Sequence, residues 1–112
     1  MKRRFRLTRS TDFQRVRRNG KTYAHPLVVL VTAPNELSQA RIGIVTGRAL
    51  GGAVERNRVK RRLRACLSQR AERVACGWDL VFLARKPLGG AGFQDLCAAV
   101  DLVLKKAGIW HD

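Results

Sequence analysis

The spacing of apolar residues predicts three helices. Apolar positions recur at helical intervals over three segments, namely Thr11–Arg18, Ala53–Val74 and Phe93–Ala107. Ser10 is the expected N-cap of the first helix. Gly77 ends the second helix, and Gly108 is the expected C′ residue of the third. The middle helix is therefore predicted to be the longest.

Runs rich in β-branched residues predict three strands, over Tyr23–Ala33, Arg41–Thr46 and Trp78–Ala84. Pro26 limits the first strand to a sheet edge or to a late start. The predicted order is α-β-β-α-β-α, which favours an α+β class with one sheet covered by helices, an α/β sandwich. A length of 112 residues predicts a single domain that spans residues 1–112.

The amount and distribution of charge predict a polyanionic partner. The chain has 23 Lys and Arg against 8 Asp and Glu, a net charge of +15. Residues 1–64 hold 17 of the basic side chains and only 3 acidic ones, concentrated in Lys2–Lys21 and Arg41–Arg64. Like charges concentrated in this way repel one another in the folded state, so we expect RNA or DNA to compensate them.

Several classes of protein are excluded. No apolar run approaches the roughly 20 residues that cross a bilayer, so no membrane partner is expected. The basic N-terminus lacks the apolar segment of a signal peptide. Three cysteines without a Cys-x-x-Cys pair indicate reduced thiols rather than a zinc site or a disulfide framework. We expect a cytoplasmic protein, and nothing in the sequence predicts a protein partner.

The predicted middle helix combines an apolar flank with a cationic flank. Wound at roughly 100° per residue, it places four residues together towards the core: Val59, Leu63, Cys66 and Leu67. An adjacent stripe contains Asn57, Lys60, Arg61 and Arg64, with Arg58 and Arg62 further round. A rigid row of guanidinium groups suits a phosphate backbone. Composition alone leaves a second interpretation open, a solvated surface helix with a run like a nuclear-localisation signal.

Residues for independent catalysis are missing from the sequence. Its two histidines are His25 and His111, and no serine lies in a Gly-x-Ser-x-Gly elbow. No paired carboxylates suit two metal ions, and no Gly-x-x-x-x-Gly-Lys phosphate loop is present. The chain alone is therefore not expected to be a nuclease.

Several segments together form a recognisable signature. They are Ile42-Gly43-Ile44-Val45, then Gly51-x-Ala53-Val54-x-Arg56-Asn57-Arg58-x-Lys60-Arg61-x-x-Arg64, and finally Trp78-Asp79-Leu80-Val81 with Ala84-Arg85-Lys86-Pro87. Arg6-Leu7 and Asp12-Phe13-Gln14-x-Val16 extend the match to the N-terminus. This pattern closely resembles the protein subunit of bacterial ribonuclease P over nearly the whole chain.

The resemblance implies a fold and a function. The family folds like the second domain of ribosomal protein S5, with a left-handed crossover that departs from the usual right-handed rule. Its members pair with a catalytic ribonuclease P RNA that removes the 5′ leader from precursor tRNA. The RNA performs the hydrolysis with Mg²⁺, which the RNA subunit mainly binds. The protein binds the RNA subunit close to its active centre and holds the precursor tRNA 5′ leader in a cleft beside the first helix.

Carried over by residue, the resemblance assigns an RNA-binding set: Arg48, Arg56, Asn57, Arg58, Lys60, Arg61 and Arg64. It assigns the leader cleft to Phe13, whose ring stacks on bases without regard to their identity. Arg17 stands where the family often has an aromatic residue, which implies a cleft that relies more on charge.

Two further functions fit the composition. A ribosomal or ribosome-associated RNA-binding protein would share the size, charge and fold type. A DNA-binding helix module ranks last, because one basic helix after two glycines does not make a helix-turn-helix pair.

Overall fold

The computed structural model of the chain describes residues 1–110, so His111 lies outside the described residues. Within residues 1–110, three α-helices and four strands follow one another, with short 3₁₀ turns between some of them. The helices are α1 (Ser10–Asn19), α2 (Ala53–Ser68) and α3 (Phe93–Ala107). The strands are β1 (Lys21–Ala24), β2 (Val28–Pro34), β3 (Arg41–Thr46) and β4 (Trp78–Ala84).

The α+β class is confirmed, and β3, β4 and α3 have the predicted bounds. The single strand predicted over Tyr23–Ala33 is wrong, because the segment folds into the hairpin of β1 and β2. Pro26 lies in the turn, where the Nδ1 atom of His25 accepts a hydrogen bond from the backbone N–H of Leu27 at 3.1 Å. The observed order therefore contains one strand more than predicted, α-β-β-β-α-β-α.

Two helix ends also differ from prediction. Ser10 is the first residue of α1, and Arg9 takes the N-cap position without a capping side-chain hydrogen bond. The second helix ends at Ser68 rather than at Val74. Val74 is buried in an extended conformation and bridges Trp110, so its backbone is committed to that pairing and cannot continue the helix.

The four strands form one sheet in the order β1-β2-β4-β3. β3 and β4 are parallel, so the chain between them crosses over through α2, whereas the other pairs are antiparallel. The outer edge of β3 is partly covered, because the backbone N–H of Leu7 donates to the carbonyl of Ile42 at 2.8 Å. The N-terminal segment is thereby held beside the strand that leads to α2.

Helices cover both faces of the sheet, because alternate residues of each strand point to opposite sides. α2 and α3 pack on the face that carries Leu30, Leu80 and Phe82. α1 packs on the other face through Val16, in a smaller core that includes Val81. No helix within residues 1–110 has both the length and the hydrophobicity needed to cross a membrane.

Candidate nucleic-acid interface

α2 is anchored to the domain by one apolar flank. Four of its side chains are almost fully buried against the sheet and α3, namely Val59, Leu63, Cys66 and Leu67. The helix lacks a side-chain N-cap, since Gly52 takes that position. The Glu55 side chain folds back over Gly51 and Gly52, where a carboxylate interacts favourably with the positive end of the helix dipole. The helix is therefore a fixed support for the side chains on its outer surface.

The stripe predicted beside the apolar flank is present and open. A surface cavity of about 340 Å³ is lined by Val54, Asn57, Lys60, Arg61 and Arg64. Arg61 and Asn57 are exposed, whereas Lys60 and Arg64 are half-buried. Of the ion pairs described within residues 1–110, none involves these side chains. Partial burial restricts the stems of long cations, so these charges are positioned to meet an external anion.

The other members of the predicted RNA-binding set do not line this cavity. Arg58 is exposed on the opposite flank of α2, where it lines a different cavity with Lys86. Arg48 is exposed in the 3₁₀ turn Arg48–Leu50 that precedes α2. Arg56 is half-buried one turn before Lys60. The basic helix therefore presents cations on two flanks. The helical wheel placed Arg58 beyond the stripe, but it could not show that Arg58 shares a cavity with Lys86.

A narrow cavity joins α2 to the first helix around the edge of β3. It measures about 190 Å³, and its wall contains Phe13 together with Lys60 and Arg64. Arg6 and Thr8 of the N-terminal segment complete it. Neither residue belongs to the predicted site, although Arg6 lies in the first basic block. The resemblance assigned the stripe of α2 to the catalytic RNA and Phe13 to the leader. Because both line this cavity, the two surfaces are continuous.

Phe13 and Arg17 lie on one flank of α1, four residues apart. The ring of Phe13 packs over Gly43 and the smaller core and is half-buried, whereas Arg17 is exposed. Beyond this flank the sheet is incompletely covered: Val29, Val45 and Leu83 are partly buried neighbours across three strands. This partly exposed apolar row lies beside the flank of α1 that carries Phe13 and Arg17, and we call the surface that they form together the groove beside α1.

A buried carboxylate fixes α1 over the sheet. Asp79 is fully buried and accepts hydrogen bonds from Arg41 at 2.7 and 2.9 Å and from Asn35 at 2.9 Å. Arg15 of α1 also donates to it. Burial by itself would raise the pKa of Asp79, but these hydrogen bonds outweigh it and hold the pKa below its ordinary value. The hydrogen bond to Asp79 in turn raises the pKa of Arg41.

Not all of the positive charge is available to a partner. Arg15 and Arg41 bind Asp79, and Arg70 binds Asp101 at 2.5 Å. Arg62 donates to the carbonyl of Ala91. Composition could not distinguish these structural arginines from the free ones, because the distinction depends on carboxylates and carbonyls distant in sequence.

The described residues do not form a metal site of their own. Within residues 1–110, no three His, Cys, Asp or Glu side chains come close enough together to hold a metal ion. Mg²⁺ prefers several oxygen ligands, and Asp79 is already occupied by donors. The donors available on α2 are cationic or amide groups, which suit phosphate rather than a bare cation.

Comparisons with known proteins agree on one family. The model of the family described as Ribonuclease P matches residues 1–108. The ribonuclease P protein component of Herpetosiphon aurantiacus is 41% identical over 112 residues, which cover 100% of this chain and 91% of that protein. The corresponding protein of a Roseiflexus species is 43% identical over 110 residues, covering 97% and 90%.

Two solved structures share the fold. The RNase P protein of Staphylococcus aureus superposes with a TM-score of 0.86 at 29% identity, covering 96% of this chain and 98% of that one. The RNase P protein from Thermotoga maritima gives a TM-score of 0.82 at 28% identity, covering 90% and 96%.

Proposed function

This chain belongs to the Ribonuclease P protein family, and we propose that it holds the catalytic RNA along α2 and the precursor tRNA leader beside α1. Membership makes it a protein subunit of ribonuclease P, an endoribonuclease that acts in tRNA processing. The ribosomal alternative is not favoured, because the relatives and the superposed structures are ribonuclease P proteins.

The observation that carries the proposal is the open cationic stripe of α2. Asn57, Lys60, Arg61 and Arg64 share one cavity on a helix whose other flank is buried. Guanidinium groups match the geometry of phosphate oxygens, and Asn57 adds a donor and an acceptor for a sugar hydroxyl or a base edge. We assign the remaining RNA contacts to Arg48, Arg56 and Arg58, which extend the cationic surface on both sides of the stripe.

The groove beside α1 suits a single strand. Phe13 offers part of a ring for stacking, Arg17 offers a charge for the backbone, and the apolar row below them accommodates base faces. Because the narrow cavity at Lys60 and Arg64 joins this groove to α2, the leader and the catalytic RNA would lie against neighbouring residues. The protein would therefore increase the affinity of the particle for substrates that carry a leader.

We assign the hydrolysis itself to the RNA subunit. The part of the chain that the structure describes contains no cluster of metal ligands, so Mg²⁺ would be bound mainly by the RNA. The contribution of this chain is to neutralise phosphates near the reacting strand and to orient the leader. Since bacterial precursor tRNA is made in the cytoplasm, we also propose a cytoplasmic location.

The test is reconstitution with a transcript of a bacterial ribonuclease P RNA. At low Mg²⁺ concentration, addition of the protein should increase the rate of 5′ leader removal from precursor tRNA well above that of the RNA alone. The same preparation without RNA should not cleave the substrate. The proposal fails if the protein leaves cleavage unchanged over a range of Mg²⁺ concentrations.

A binding measurement separates this function from a general affinity for RNA. The affinity of the reconstituted particle is compared for tRNA with and without a 5′ leader. The proposed groove requires tighter binding of the tRNA that carries a leader. Equal affinity for the two substrates would contradict the leader contact and would instead favour a structural RNA-binding role.

A further inference from the structure

α1 carries the two side chains proposed to contact the leader, but a small apolar contact holds it on the sheet. Among the ten described residues of α1, Val16 alone is buried, where it packs in the smaller core. Phe13 packs over Gly43 on one side of Val16, and Arg17 is exposed on the same side. A helix held mainly by apolar contacts can roll on a sheet, because the hydrophobic effect has no direction. The place of the ring therefore depends on what holds the other side of the helix.

Arg15 occupies that other side. It is two residues away from both Phe13 and Arg17, which at about 100° per residue places it nearly opposite to them on the helix. Its guanidinium donates hydrogen bonds to the carboxylate of Asp79 and, at 3.2 Å, to the carbonyl of Pro34. These acceptors belong to β4 and to the end of β2, so one side chain joins α1 to two strands.

Asp12 and Arg41 extend this network to β3. Oxygens of the Asp12 carboxylate lie 3.7 Å from the guanidinium of Arg15 and 3.5 Å from that of Arg41. Arg41 is the first residue of β3 and also donates to Asp79. The helix and the sheet thus each contribute one arginine and one carboxylate. Guanidinium groups pair with carboxylates in a planar geometry, so these contacts are directional where the apolar contact is not.

The charges of this network do not suit a phosphate. The surface cavity beside it is lined by Asp12, Arg15 and Arg41, and also by Glu36. With the fully buried Asp79 below, the cluster formed by these described residues has three carboxylates and two guanidinium groups. An excess of negative charge repels RNA. Although Arg15 belongs to the first basic block, its charge is spent within the protein.

The network therefore acts on the leader through α1 rather than by contact. We propose that Arg15 is a positioning residue for the precursor tRNA leader. Its two hydrogen bonds to the sheet fix the roll of α1. The roll in turn sets the places of Phe13 and Arg17 against the leader, and a displacement of about 1 Å is enough to weaken an oriented contact. This inference rests on the proposed function, because it needs the leader in the groove beside α1.

The test measures the leader preference of the reconstituted particle, the ratio of its affinities for tRNA with and without a 5′ leader. Arg15→Gln should lower this preference about fivefold, because the ring and the cation are misplaced rather than removed. The Kd for a transcript of the ribonuclease P RNA should stay close to that of the wild type, since α2 is anchored by its own apolar flank.

Arg70→Gln is the matched control for charge and stability. Arg70 binds Asp101 of α3, which packs on the face of the sheet opposite to α1. The control therefore removes the same charge and a comparable ion pair at a distance from the groove. Its leader preference should equal that of the wild type, even where its melting temperature falls as much as that of Arg15→Gln.

The dependence of binding on salt separates positioning from direct contact. Arg17→Gln removes a cation proposed to bind the leader backbone, so it should reduce the magnitude of the salt slope for tRNA with a leader by about one. Arg15→Gln should weaken binding at every salt concentration and keep the wild-type slope. If Arg15→Gln reduces the slope as much as Arg17→Gln does, Arg15 contacts phosphate and the proposal is overturned.

A second variant gives positioning and simple electrostatics opposite signs. Asp12→Asn removes a negative charge near the leader, which by electrostatics alone would strengthen RNA binding. Loss of the contacts with Arg15 and Arg41 should instead lower the leader preference, about twofold because both ion pairs are partly exposed. This variant also provides the test if Arg15→Gln does not fold. A leader preference equal to or above that of the wild type would contradict the role of the network.

The outcomes distinguish this inference from the function on which it rests. If Phe13→Ala loses the leader preference while a folded Arg15→Gln keeps it, the positioning role is refuted and the proposed function stands. If Arg70→Gln loses as much preference as Arg15→Gln, the loss follows stability rather than position, and the inference fails. If the wild-type particle itself does not prefer tRNA with a leader, the proposed leader contact fails.

Discussion

The ring of Phe13 lies so close to the Cα atom of Gly43 that no side chain fits between them. A Cβ atom on Gly43 would overlap two carbons of the ring and would approach the Cβ of Leu7 to 3.3 Å. The backbone of Gly43 needs no unusual angle, so close packing alone requires glycine there. This contact places the ring at the junction of the groove beside α1 and the narrow cavity that leads to α2.

Substitution of Gly43 should therefore disturb both the fold and the groove. Gly43→Ala should cost about 1–3 kcal/mol of the free energy of unfolding, because the ring must shift to admit the methyl group. Urea denaturation measures this cost. Gly47→Ala is the matched control, since its Cβ would meet no atom within 4 Å, and it should be neutral or slightly stabilising. Equal stabilities of the two variants would contradict the close packing.

Sequence patterns predicted the parts of this fold that depend on local spacing. The apolar recurrence of α3 and the C′ residue Gly108 are confirmed, and Gly108 has the expected left-handed conformation with φ 71°. The apolar flank of α2 is confirmed residue by residue. Periodicity is sufficient there because each helix packs one face on one sheet.

The patterns failed where distant residues decide the conformation. Nothing near Val74 in the sequence shows that its backbone pairs with Trp110, so the predicted helix runs too far. Asp79 looks like an ordinary polar residue at the start of a strand. Only the folded chain brings Arg15 and Arg41 to it. The cavity shared by Phe13 and Lys60 is likewise a product of topology, because it joins residues on different faces of the sheet around one edge.

Substitution of the buried Asp79 should lower the free energy of unfolding more than substitution of any other polar residue in the domain. Asp79→Asn removes the negative charge that compensates Arg15 and Arg41 and replaces an acceptor oxygen by a donor. Loss of one partner from a buried ion pair costs about 3–5 kcal/mol, and we expect the lower end because both arginines reach water. Thermal unfolding would show the loss, whereas the exposed Asp95 changed to Asn should have a much smaller effect.

The same carboxylate makes stability depend on pH. The pKa of Asp79 is lower in the folded state than in the unfolded chain, where it is about 4. Its stabilising contribution is therefore complete above about pH 4 and is lost as the pH falls through the folded-state pKa. Urea midpoints measured between pH 7 and pH 2.5 should fall more steeply for the wild type than for Asp79→Asn. Parallel curves for the two proteins would exclude Asp79 as the source.

The stripe of α2 makes a prediction about salt. Arg61→Ala should weaken binding of the ribonuclease P RNA and reduce the magnitude of the salt slope by about one, because one phosphate contact is lost. Lys105→Ala removes an exposed cation from α3 and should leave the slope unchanged. Binding titrations at several salt concentrations give both slopes. A slope for Arg61→Ala equal to that of the control would show that Arg61 does not face phosphate.

Substitution of Phe13 is predicted to weaken binding of the tRNA leader more than binding of the RNA subunit. Its ring is half-buried, so Phe13→Ala should lower stability and also remove a stacking surface worth roughly 1–3 kcal/mol per base. We expect the preference of the particle for tRNA with a leader to fall about tenfold, while binding of the RNA subunit stays close to that of the wild type. Phe93→Ala removes a partly exposed ring from the start of α3 and should leave that preference intact. A Phe13→Ala protein that unfolds at assay temperature would identify the ring as a core element. Phe13→Leu then provides the test, because it keeps apolar bulk over Gly43 without an aromatic face. The stacking role stands only if Phe13→Leu also loses the preference for tRNA with a leader.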